Sequence, residues 1–121
     1  MALVFAASSI PSDRLVKLPG RSDLAIHATE YAILGALLAR ALLGRGIRHA
    51  ALAAALLGAA YGATDELHQL LVPGRTCAWD DWAADSAGSI AGAWLMAAHA
   101  RRRLTASARE APAGSSPRWR P

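Results

Sequence analysis

Apolar residues in this chain fall in four blocks separated by short polar connections. Between His49 and Thr64 (HAALAAALLGAAYGAT) no side chain is formally charged, so a helix there has no face polar enough to meet water. Its 16 residues reach roughly 24 Å at about 1.5 Å per residue, slightly short of the roughly 30 Å hydrocarbon layer of a bilayer. A second long apolar run covers Leu24 to Leu43, and a third, Ala83 to His99 (AADSAGSIAGAWLMAAH), carries no charge after Asp85. Met1 to Ile10 is also apolar, but as a helix it covers only about 15 Å, half a bilayer. The pattern predicts an all-α fold: a small polytopic transmembrane helical bundle. Three full spans are expected at about 24–43, 48–64 and 83–99, with a partial N-terminal hydrophobic segment at 1–10. No positive residue precedes that first segment, which argues against a signal peptide. Either it dips into the bilayer or it is the end of a longer helix whose start lies upstream of Met1.

Composition agrees with a membrane solvent, since 54% of the residues are hydrophobic and only one is Phe. The formal net charge of +4 is misleading as a property of the whole chain. From Arg101 onward six Arg face one Glu, a net +5, and residues 1–100 together carry −1. The 101–121 stretch, rich in Ala, Ser, Pro and Arg, has too little apolar surface for a core and is expected to be a disordered tail attached to a 1–100 transmembrane domain. Its charge suits anionic lipid headgroups. Nucleic acid is not expected as a partner, because no aromatic and basic residues interleave on a folded surface. The single Cys77 excludes an internal disulfide and offers no metal-ligand pair.

Charge placement also orients the chain. Arg40, Arg45 and Arg48 flank the connection between the second and third apolar segments, and Arg101, Arg102 and Arg103 follow the fourth. The positive-inside rule puts both regions in the cytoplasm and the 65–82 loop outside, in a multi-pass protein of the inner (plasma) membrane. Trp79, Trp82 and Tyr61 then fall where an outer aromatic belt would lie. Gly58 and Gly62, like Gly88 and Gly92, stand one helical turn apart and are read as close-packing positions between helices.

The residues with chemistry collect at the outer end. His27, Glu30 and Tyr31 are three and four residues apart and share a helix face. Glu30 lies about 4.5 Å deeper than His27, a costly depth for a carboxylate that faces lipid, so it is expected either to point into the bundle or to snorkel back to the interface. Glu66 and Gln69 are one turn apart and are expected to face inward as a pair, with Asp65 directed elsewhere. Arg75, after the Pro73-Gly74 turn, can reach back either to pair with Glu66 or to hold a phosphate through two parallel hydrogen bonds. Asp81 and Asp85 are also one turn apart, and like charges that close disfavour joint ionisation unless Arg75 or a cation intervenes. One of them would suit acid–base work, and a salt bridge to Arg75 would suit them equally. Glu66, Asp81 and Asp85 have the hardness for a cation, but His27, His68 and Cys77 do not form a zinc spacing, and neither a metal nor a cofactor is expected.

These residues carry a resemblance. Ser8-Ser9-Ile10-Pro11 is similar to the Ser and Pro that close the first helix of VanZ-like membrane proteins. His27-Ala28-Thr29-Glu30-Tyr31-Ala32-Ile33-Leu34-Gly35 resembles their His, Tyr, Leu-Gly signature, and Glu66, Gln69, Pro73-Gly74-Arg75, Asp81, Gly88 and Gly92 stand at the family's spacing. The match spans residues 8–92. It departs where the family usually has Asn, here Asp85, and often Ser, here Ala78. The resemblance implies an envelope membrane protein of a family first described with resistance to the glycopeptide teicoplanin. It assigns no biochemical activity. The leading expectation is an outward polar pocket for an anionic lipid or lipid-linked cell-wall precursor headgroup, with Arg75 on the phosphate and Glu66, Gln69, Asp81, Asp85, His27, Glu30 and Tyr31 around it. Two alternatives stand beside it. One is an enzyme acting on a lipid-linked phosphate through Glu66, Asp81 or His27. The other is a scaffold or partner subunit whose polar groups only lock the helices together.

Overall fold

A computed structural model describes residues 22–72 and 79–110 of the chain. These form three helices with no strand among the described residues: α1 (Ser22–Gly44), α2 (Ala50–Gln69) and α3 (Trp79–Glu110). The expected all-α class holds. The N-terminal segment at 1–10 lies outside the described residues.

Each of the three apolar runs within the described residues became a helix, and local chemistry sets the ends. The link from α1 to α2 is a Schellman turn. Gly46 N–H donates to Leu43 O at 3.0 Å and Ile47 N–H to Leu42 O at 3.1 Å, which satisfies two carbonyls the helix end leaves open. The turn needs a left-handed residue, and Gly46 supplies it at φ +72°, where no Cβ penalty applies. At the other end α2 runs past Thr64 through Asp65 to Gln69, since Asp, Glu, Leu, His and Gln all tolerate a helix already begun. It closes with Leu71 N–H to His68 O at 2.9 Å and Val72 N–H to Gln69 O at 3.0 Å, directly before Pro73.

Small residues set the packing. A Cβ on Gly88 would fall on the backbone carbonyl of Ala28, and one on Gly92 on that of Ala32, so the α1 and α3 backbones touch where these glycines stand. Because 28 meets 88 and 32 meets 92, α1 and α3 run parallel. Gly58 of α2 faces the side chain of Ser89 and Gly62 faces Asp85, so α2 runs against them. The apolar core is made of Ala39, Ala54, Ala55 and Ala93, with Leu38, Leu42 and Met96 packed on it. Large apolar side chains point the other way: Ile33, Leu37, Leu56, Leu67, Ile90 and Leu95 are all exposed. Small residues inside and large apolar ones outside are the reverse of a water-soluble bundle.

Among the described residues one helix, over Leu24–Gly44, qualifies by length and composition as a membrane span. α2 carries Asp65 and Glu66 near its end, and α3 has Asp80, Asp81 and Asp85 in its first two turns, which dilutes their Ala-rich apolar stretches. The tail corrects an expectation. Residues 101–110, expected to be disordered, continue α3 as an exposed helix. No Gly or Pro stands between Gly92 and Pro112, and extending an existing helix needs no new nucleus. Residues 111–121 lie outside the described residues.

Candidate functional site

With α1 and α3 parallel and α2 antiparallel, one end of the bundle gathers the beginnings of α1 and α3 and the end of α2. Glu30, Asp65, Glu66, Asp80, Asp81 and Asp85 all lie there. Arg40, Arg45, Arg48, Arg101, Arg102, Arg103 and Arg109 stand toward the opposite end. Among the described residues, Glu110 excepted, the two signs of charge are thus sorted along the bundle axis.

The acidic end has a buried polar interior. Asp65, Glu66, Gln69 and Asp85 are each at most 3% exposed, and Tyr31 is at 0%. Its centre is a pair across 58 residues of chain: His27 Nδ1 lies 3.0 Å from Asp85 Oδ1. A carboxylate only accepts, so the ring donates through Nδ1 and presents Nε2 as its second polar atom. The Asp85 side chain is fully buried and that of His27 is 15% exposed, which leaves the imidazole at the boundary between the cluster and its surroundings. The other carboxylate oxygen, Asp85 Oδ2, sits above Gly62. A Cβ there would come within 3.2 Å of that oxygen and 3.4 Å of Tyr31 Cε1, so the missing side chain of Gly62 is the space in which Asp85 and Tyr31 meet. Tyr31 also lies against Tyr61, their rings 6.2 Å apart and tilted by 37°.

Several groups in this interior have no hydrogen-bond partner among the described residues: the Tyr31 hydroxyl, Asp85 Oδ2, and both the oxygen and the nitrogen of the Gln69 amide. Buried polar groups normally find partners, and each one left without costs about 1–3 kcal/mol. The hydroxyls of Ser86, next to Asp85, and of Ser89, one turn deeper on α3, are in the same condition. Around the rim, Trp82 donates its indole N–H to Ala59 O at 3.1 Å and stacks edge-on with Trp79, centroids 6.1 Å apart. Trp79 itself is exposed and Tyr61 half-buried.

The sequence-derived residues divide accordingly. His27, Tyr31, Glu66, Gln69 and Asp85 come together at the acidic end; Glu30 and Asp81 stand at its edge, partly buried. Asp65 corrects its expectation, for it is turned inward at 1% exposure instead of away. Asp85, read from the sequence as a neighbour of Asp81 with a salt bridge to Arg75 as one option, has His27 as a partner among the described residues. Arg75, and with it Pro73, Gly74 and Cys77, lies outside the described residues. Sequence reasoning passed over Ser89 and the part of Gly62 in the site. A signal for the latter was present: positions 58, 62, 65, 66 and 69 form one stripe of a helix, and the stripe is small or polar throughout.

A family model described as VanZ/LLP1 matches residues 1–100. Among curated proteins and among solved structures nothing matches the chain.

Proposed function

The chain belongs to the VanZ/LLP1 family, and from that premise we propose that it is a multi-pass envelope membrane protein whose acidic end binds the headgroup of a membrane lipid or of a lipid-linked cell-wall precursor. The observation that carries this reading is the buried polar cluster of His27, Tyr31, Gln69 and Asp85 at one end of a bundle whose large apolar side chains point outward. In lipid, polar groups inside a bundle are expensive and mark sites of binding or transport. The outward Leu and Ile on all three helices, with alanine and glycine between them, support three spans. The separation of acidic from basic ends supports an orientation with the Arg-rich end cytoplasmic.

Arg75 belongs to the nine-residue connection, 70–78, that joins the α2 end bearing Gln69 to the α3 start bearing Asp85. Its guanidinium is the proposed phosphate contact. A contribution to glycopeptide (teicoplanin) resistance is the proposed physiological consequence of holding such a headgroup. Native mass spectrometry of the purified protein tests the reading: anionic lipid should remain bound to the wild type and be lost from Arg75→Ala at unchanged helicity. Equal retention by Arg75→Ala removes that residue from the site.

A further inference from the structure

The glycine contacts fix more than the direction of the helices, because they also set the level at which the arginines stand. Ala28 lies against Gly88 and Ala32 against Gly92, while Gly58 meets Ser89 and Gly62 meets Asp85. Carried along the axes, these offsets put Arg40 of α1 level with Ala100 of α3, and Arg48, just before α2, level with His99. Arg101 stands within about 3 Å of both levels. The side agrees as well as the level. Ala93 shares the apolar core with Ala54 and Ala55 of α2, Ala97 one turn on is buried like Ala50 at the α2 start, and Arg101 follows Ala97 by one more turn. That line leads from the core onto the turn that carries Arg45 and Arg48. Backbone bonds hold the turn in place: Arg45 N–H donates to Leu42 O at 3.1 Å, beside those from Gly46 and Ile47. Arg45, Arg48 and Arg101 are all exposed.

No carboxylate among the described residues answers this charge. The nearest to Arg101 along the axis are Glu30, level with Ile90, and Glu110. Each is about 13 Å away or more, beyond the roughly 8 Å over which exposed charges act in physiological salt. The first turn of α2, which opens at the same place, holds no acidic residue. Depth selects the ligand. Asp81 and Arg101 are twenty residues apart on α3, about 30 Å along its axis, the thickness of the hydrocarbon layer. With the acidic end at one membrane surface, Arg101 stands at the other, in the plane of the lipid phosphates. We infer that Arg45, Arg48 and Arg101 form a second lipid site, on the membrane face opposite the polar cluster, that takes the phosphate of an anionic phospholipid. Guanidinium groups stay charged and meet phosphate oxygens through paired hydrogen bonds. The inference rests on the three-span placement proposed above and not on the headgroup contact at the acidic end. It also differs from diffuse attraction by a basic tail. Arg102 and Arg109 are turned about 120–180° around α3 from Ala93 and Ala97, so they stand outside the site.

Two charge-matched pairs of substitutions test the site. The parent is the full chain carrying Arg75→Ala, which removes the proposed phosphate contact at the acidic end. In detergent it is titrated with phosphatidylglycerol, phosphatidylcholine and free glycerol phosphate, and bound lipid is counted by native mass spectrometry. Arg48→Gln/Arg101→Gln and Arg102→Gln/Arg109→Gln each remove two exposed charges from that parent and should leave its helicity unchanged. The first pair should weaken phosphatidylglycerol binding about thirtyfold and the second less than about threefold. That contrast, with phosphatidylglycerol preferred to phosphatidylcholine, supports the site. Equal weakening by the two pairs overturns it and leaves only diffuse attraction to a basic helix. Binding that the first pair does not change, or that shows no preference over phosphatidylcholine, overturns it as well. Glycerol phosphate that displaces the lipid at equal concentration overturns the lipid in favour of a soluble phosphate. The failures of the two readings separate: equal numbers of lipids on the wild type and on Arg75→Ala count against the acidic-end contact alone, whereas a chain that does not fractionate with membranes removes both sites.

Discussion

Removing His27 should cost more than removing Asp85, although the two share one hydrogen bond. The bond is 3.0 Å long, and its carboxylate has no exposed surface whereas its imidazole keeps 15%. His27→Ala therefore strands a fully buried carboxylate, and breaking a buried pair from one side costs about 3–5 kcal/mol. Asp85→Ala leaves a ring at the boundary that can turn toward a polar surrounding, so its cost falls nearer the 1–3 kcal/mol of a single unsatisfied group. Asp85→Asn keeps an acceptor at the same place and should cost about 1 kcal/mol. The double variant His27→Ala/Asp85→Ala strands nothing and should be no less stable than His27→Ala alone, a coupling at least as large as the cost of Asp85→Ala, about 1–3 kcal/mol. Equilibrium unfolding of the full chain in mixed micelles, titrated with a denaturing detergent and followed by helical circular dichroism, measures all four. Costs that add to within about 0.5 kcal/mol, or an Asp85→Ala variant weaker than His27→Ala, would refute the pairing as the centre of the cluster.

Two further outcomes follow from the packing and the charge sorting. Gly92→Ala should destabilise by about 1–3 kcal/mol in the same unfolding assay, because its methyl falls on the Ala32 carbonyl and must push α1 from α3; Gly44→Ala, with nothing within 4 Å of its added methyl, should be neutral or stabilising by up to about 1 kcal/mol. The lone Cys77 reports orientation: a membrane-impermeant maleimide should label it in intact cells, and labelling only after lysis would put the acidic end in the cytoplasm and reverse the proposed topology.

Local spacing made part of this site legible before any coordinates. His27 with Tyr31, and Glu66 with Gln69, are i,i+4 and i,i+3 neighbours, and a helix puts such pairs on one face whatever surrounds it. The pairing of His27 with Asp85 was beyond that reasoning, because it depends on how α1 registers against α3. The register comes from the contact of Gly88 with Ala28 and of Gly92 with Ala32, and a chain this rich in Gly and Ala offers many other glycine-to-alanine registers of similar appearance. Asp65 was misread for a related reason. Neighbouring residues on a helix point about 100° apart, which separates inside from outside where a helix has one partner. At the end of α2 the buried arc is wide enough to take in both Asp65 and Glu66.

The sorting of charge along the bundle satisfies two independent demands at once. α1 and α3 begin at the acidic end, and their N-termini carry partial positive charge that favours carboxylates such as Asp80 and Asp81 in the first turn of α3. The last turn of α3 holds Arg109, where a cation is favoured, beside Glu110. α2, being antiparallel, opposes this with one dipole against two, so the balance at the acidic end still favours negative side chains. A cytoplasmic membrane surface asks for the same distribution, with arginine on the inner side. The polar cluster therefore sits where carboxylates are cheapest to hold within this fold. A third helix dipole reversed, as in a bundle with α3 antiparallel to α1, would remove that support, and the short glycine contacts between α1 and α3 are what exclude that arrangement. The sequence features that read as mere packing, Gly88 and Gly92, thus also determine the electrostatic setting in which Asp85 can be buried.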